Sequence, residues 1–160
     1  MRLILITGPP GSGKTSVLTA LADALSDDDI PHAAVEVEAL AWTHPALDDE
    51  RRLAHVRTVC AGHGLVLLAD TAETPGDLAA LIEASGAEEA FVARLDAPPD
   101  TLAARITERE PASWSGTAAL AAHARELAVS MSAVAADLVL STEGARAEDI
   151  AARIRETAGL

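Results

Sequence analysis

Short apolar runs recur along the chain at Arg2–Thr7, Ala33–Val37, Leu65–Ala69, Phe91–Leu95 and Leu138–Leu140. They lack strict polar alternation, and stretches of helical period separate them, which is the pattern of strands buried on both faces. The spacing predicts an α/β fold, with five parallel strands covered by helices. Thr74-Pro75-Gly76-Asp77 supplies a cap, a proline at the first helical position and a carboxylate in the first turn, and Gly86 supplies the stop. Asp48 caps a helix running to about Cys60, with Leu53, Val56 and Val59 on one face and Arg51, Arg52 and Arg57 elsewhere, before Gly62 and Gly64. Pro98-Pro99-Asp100 starts another helix, which Pro111 stops. Leu120, Ala124, Leu127, Met131 and Val134 form a stripe that predicts one long helix over Thr117–Ala136. A final helix covers about Arg146 to Ala158 and ends at Gly159.

The first run leads into Gly8-Pro9-Pro10-Gly11-Ser12-Gly13-Lys14-Thr15, followed by Ser16. This fits the spacing G-x-x-x-x-G-K-[ST] and sits between a strand and a helix, the context that makes the motif a phosphate-binding loop. Glycines let successive N–H groups point inward, and the helix that follows adds its positive end to the same anion. Lys14 reaches the β- and γ-phosphates of a nucleoside triphosphate such as ATP, and the Thr15 hydroxyl suits Mg²⁺. A second acid for the metal is expected at Asp70, after the Leu65–Ala69 run; its alternative role is capping the loop to the next helix.

Transfer to a hydroxyl calls for a base, and Glu36 and Glu38 share one face if the second strand continues through them. Ligands gather at the carboxyl ends of parallel strands, which favours Glu38; a solvated edge-strand carboxylate is the alternative. Arg105 and Arg109, four residues apart, can close over phosphates or form an ordinary exposed face with Glu108 and Glu110. Ala112–Gly116 reads as the tip of a small lid around 105–117. Trp42 and Trp114 can stack on a ring or simply pack. The histidines at 44, 55, 63 and 123 lack metal-ligand spacing and read as structural or surface residues.

Composition narrows the partners. A net charge of −13 opposes nucleic acid. Eleven of the twelve cations are arginines, and Lys14 is the one lysine. Cys60, the one cysteine, allows no internal disulfide. At 160 residues a single domain is expected. Apolar runs fall short of the ~20 residues of a membrane span. Met1–Ile6 leads straight into the glycine loop without a secretory pattern, so a soluble cytoplasmic protein is expected. The lack of asparagine removes the guanine-reading N-K-x-D segment of GTPase switches.

The loop Gly8–Thr15, the strand ending at Asp70, the Arg105/Arg109 pair and the closing Asp137-Leu-Val-Leu-Ser-Thr-Glu-Gly144 together resemble the small P-loop kinases that include shikimate, gluconate and nucleoside monophosphate kinases. Glu36-Val-Glu38-Ala-Leu40 followed by Pro45 is similar to the chloramphenicol phosphotransferase pattern, whose base is an aspartate where this chain has glutamate. The resemblance implies a three-layer P-loop fold with sheet order 2-3-1-4-5, and adenine held between a lid arginine and the loop around Thr142 to Gly144. It implies phosphoryl transfer from Mg-ATP to a small-molecule hydroxyl. Thr71–Gly76 lacks the arginine that nucleoside monophosphate kinases place there to hold an acceptor phosphate, although Arg51, Arg52 and Arg57 leave an anionic acceptor open. A nucleotide-binding regulator without transfer activity is the other alternative.

Overall fold

The computed structural model describes residues 1–40, 44 and 47–160. Trp42 and Pro45, named above, lie outside the described residues. Five strands, β1 (Arg2–Thr7), β2 (Ala33–Glu36), β3 (Leu65–Asp70), β4 (Glu89–Asp96) and β5 (Leu138–Ser141), form one parallel sheet in the order β2-β3-β1-β4-β5. The helices are α1 (Lys14–Asp27), the single turn α2 (Val37–Leu40), α3 (Asp49–Cys60), α4 (Pro75–Ser85), α5 (Pro99–Arg109), α6 (Thr117–Ser130) and α7 (Ala147–Ala158). This is the three-layer α/β fold that the sequence resemblance implied.

The central strand shows why both faces must be covered. Leu3 and Leu5 of β1 join Val56, Cys60, Leu78 and Leu81 of α3 and α4 on one side. Ile4 and Ile6 join Val17, Leu21, Ile150 and Ile154 of α1 and α7 on the other. A smaller apolar contact, with Leu102, Ile106 and Ala124, ties α5 to α6. Among the described residues no helix is long and apolar enough to cross a membrane.

Helix ends follow local chemistry. Thr74 accepts from Asp77 N–H while Asp77 accepts from Thr74 N–H, and Gly86 closes α4 in the left-handed conformation at φ 70°. Thr74→Ala is therefore expected to lower the unfolding free energy by about 1 kcal/mol. An unmoved urea midpoint would show that the packing of Leu78 and Leu81 alone holds the start of α4.

Two expectations need correction. The second strand does not continue through Glu38. It stops at Glu36, and Val37 begins a helical turn, because Val37 and Leu40, three residues apart, then pack together on the α3 side of the sheet. The helix expected over Thr117–Ala136 ends at Ser130, and a 3₁₀ turn follows at Met131–Ala133. Here tertiary contact overrides the stripe. The buried Arg94 guanidinium of β4 donates to the Val134 carbonyl at 2.7 Å, drawing the chain out of the helix towards β5, while Met131 and Val134 still enter the core.

Candidate functional site

The phosphate loop leaves β1 at the carboxyl edge of the sheet, where Thr7 is level with Asp70 of β3 and Arg94 of β4. Gly8 must be glycine, since a Cβ there would lie 2.5 Å from the Leu95 carbonyl oxygen. Gly13, at φ 90°, turns the chain in the left-handed region directly into α1. The loop closes on itself through Ser12 N–H, which donates to the Pro9 carbonyl at 3.1 Å.

The first turn of α1 has no side-chain cap and no acidic residue. Its free N–H groups and positive end therefore suit an anion held in the loop. Lys14 lies across the same cradle, its buried ammonium donating to the carbonyls of Gly8 at 3.0 Å and Pro9 at 3.4 Å. The Ser12 hydroxyl of the same loop is buried and finds no partner among the described residues. These features fit a triphosphate. Burial pushes the Lys14 pKa below that of an ordinary lysine, while the carboxylates of Glu38, Asp70 and Glu36 oppose that shift.

A cavity of about 600 Å³ opens beside Lys14 and Thr15, and Pro10, Ser16, Glu36, Glu38 and Arg109 also line it. The Thr15 hydroxyl donates to a Glu36 carboxylate oxygen, so an all-oxygen pair stands at the point where Mg²⁺ is expected. Glu38, displaced from the strand onto α2, accepts from Thr71 Oγ1 at 3.1 Å. Arg109 reaches the cavity while its guanidinium is held by Glu110 at 2.5 Å.

Asp70 is almost fully buried, and its Oδ2 accepts from Arg52 Nη1 at 2.8 Å. Asp70 also takes a hydrogen bond from the backbone of Thr71, at the start of the loop to the next helix, while Thr74 caps that helix itself. Burial raises the Asp70 pKa, with Arg52, a backbone hydrogen bond at Thr71 and Lys14 acting in the opposite direction. The sequence leaves Arg52, with Arg51 and Arg57, open to an anionic acceptor, whereas the fold commits Arg52 to Asp70. The signal was its spacing, four residues before the buried Val56 on the same helical face. Arg51, Arg52 and Arg57 do not line the cavity.

On the other side of the loop, a cavity of about 270 Å³ is lined by Gly11, Arg105, Thr142 and Ala145. Arg105 bridges its walls, donating to the carbonyl of Gly11 at 3.1 Å, to Thr142 Oγ1 at 3.0 Å and to the Thr142 carbonyl at 2.8 Å. Thr142 is fixed to β4 through Asp96 O at 2.8 Å, and Gly144 turns the chain at φ 66°. Arg105 and Arg109 thus serve different cavities. The expected lid is in part a packed element, because residues 105–109 belong to α5. At its tip Trp114 is 45% exposed, and its indole lies so close over Gly116 that a Cβ there would clash. His123, expected to be structural or on the surface, lines the larger cavity and pairs with Glu73 at 2.9 Å. No local spacing joins residues fifty positions apart.

The family model described as "Chromatin associated protein KTI12" matches residues 1–62, the part that holds the phosphate loop. No curated protein sequence matches the chain. Solved structures share the fold over nearly its whole length. A gluconokinase from Sinorhizobium meliloti 1021 aligns with a TM-score of 0.72 at 18% identity, over 99% of this chain and 91% of its own. The Mycobacterium tuberculosis APS kinase in complex with AMPPNP and APS aligns at 0.67 and 18%, over 99% and 98%. A Deinococcus radiodurans tunicamycin resistance protein aligns at 0.67 and 17%, over 99% and 96%. The fold is that of the small P-loop kinases.

Proposed function

We propose that this chain acts as one catalytic domain that transfers the γ-phosphoryl group of Mg-ATP to a hydroxyl of a small-molecule acceptor. The observation that carries the proposal is the meeting, in one cavity, of a lysine-bearing phosphate loop with a carboxylate from outside that loop, Glu38. Lys14 and the first-turn N–H groups of α1 hold the phosphates, while Arg105 and the Thr142–Gly144 loop border the space for the nucleobase. Glu38 accepts the acceptor's hydroxyl proton. As the new oxygen–phosphorus bond forms, the bond to the β,γ-bridging oxygen breaks and ADP leaves, with Arg109 following the charge on the transferred group.

Thr15, with Glu36 and Asp70 behind it, would hold Mg²⁺, which when bound neutralises charge on the phosphate oxygens. Asp70→Asn is expected to raise the Mg²⁺ concentration for half-maximal turnover, because an amide lacks the charge that holds the ion's water shell. An unaltered magnesium titration would leave Asp70 as the partner of Arg52 only.

The fold shared with a gluconokinase, an APS kinase and a tunicamycin resistance protein supports a small acceptor of metabolite or antibiotic-like kind. The net charge of −13 opposes nucleic acid as acceptor. The test is incubation with ATP and Mg²⁺ against sugars, hydroxylated antibiotics, nucleoside monophosphates and short oligonucleotides, following ADP and acceptor mass. A phosphorylated hydroxyl compound is expected. Robust diphosphate formation from a monophosphate contradicts the proposed acceptor class.

A further inference from the structure

Beyond the phosphate loop, the larger cavity is bounded by the connection between β3 and α4 and by α6, and each contributes a titratable side chain. Glu73 Oε1 lies 2.9 Å from His123 Nε2, and both residues line the cavity. The connection that carries Glu73 is fixed at several points. Ala72 N–H donates to Thr7 Oγ1 at 3.1 Å, Thr71 Oγ1 donates to Glu38 Oε1 at 3.1 Å, and Thr74 is locked in its capping box with Asp77. Glu73 is thus held between the Glu38 wall and the α6 wall, unlike a carboxylate on a free loop.

The hydrogen-bonding character of this wall follows from its atoms. Glu73 meets His123 through one carboxylate oxygen and Glu38 meets Thr71 through one, so the second oxygen of each carboxylate remains as an acceptor. Among the described residues, the permanent cations lining the cavity are Lys14 and Arg109, both of which the proposed reaction commits to the phosphates of ATP. A carboxylate or phosphate on the acceptor would therefore meet Glu73 without a cation assigned to it, whereas hydroxyls and an ammonium group would find partners.

We propose that Glu73 and His123 are the specificity-determining pair of the acceptor site, selecting a polyhydroxyl compound without anionic groups and favouring one that bears an amine. This rests on the kinase function proposed above and specifies the class of its acceptor.

The experiment measures ATP-dependent phosphorylation of matched cationic, neutral and anionic hydroxyl compounds, headed by glucosamine, glucose and gluconate. Wild-type kcat/KM is expected to fall from the amine to the acid by at least about tenfold. Glu73→Lys should shrink or invert that ratio. His123→Gln should raise the acceptor KM and leave the KM for ATP in place, a split that loss of folding would not produce. A wild-type preference for anionic acceptors, or a charge ratio unmoved by Glu73→Lys, overturns the pair's role and leaves the kinase function standing. No acceptor-dependent ADP from any charge class overturns both.

Discussion

Lys14→Ala is expected to abolish magnesium-dependent ATP binding and turnover while the protein stays folded. Among the described residues the Lys14 ammonium donates to loop carbonyls alone, those of Gly8 and Pro9, and it is no member of the hydrophobic clusters on either face of the sheet. A positive charge buried in the cradle is worth far more to a triphosphate than the same charge in water, so its loss should weaken binding by about 10²-fold or more. Calorimetric titration with Mg-ATP reads the binding, and a thermal melt checks the fold. Unchanged affinity in a folded variant would contradict the assignment of the loop.

Glu38→Gln is expected to preserve nucleotide affinity and lower phosphoryl transfer by ~10²-fold or more, because the amide cannot take the hydroxyl proton. Its hydrogen bond from Thr71 can persist through the amide oxygen, so the α2 turn should keep its place. Glu36→Gln should be milder in transfer, since Glu36 faces the Thr15 hydroxyl. Single-turnover kinetics with ATP and an acceptor whose phosphorylated product has been identified by mass separate the two variants. A larger loss at Glu36 than at Glu38 would reverse their roles.

Features set by neighbours in sequence were legible before the structure. The glycine loop between β1 and α1, the Thr74 and Gly86 ends of α4 and the Asp48 cap of α3 all appear as read. The end of β2 was not, because two periods overlap there: Glu36 and Glu38 alternate as a strand would, while Val37 and Leu40 repeat as a helical turn does. Burial of the apolar pair decides between them. The pairs Arg52–Asp70, Arg94–Val134 and Glu73–His123 join different elements, and only the first left a trace in local spacing. The cavity is accordingly legible on the side of the phosphate loop, where one contiguous motif builds it, and much less so on the opposite side, which the fold assembles from α2, the β3–α4 connection and α6.

The most direct measurement of the central claim is the fate of the γ-phosphoryl group. With ATP labelled at the γ-phosphate, Mg²⁺ and an acceptor from the hydroxyl panel, label should appear in the acceptor in a one-to-one ratio with ADP, and Lys14→Ala should remove both signals together. Label released only as inorganic phosphate, whatever acceptor is offered, would contradict phosphoryl transfer to a small molecule.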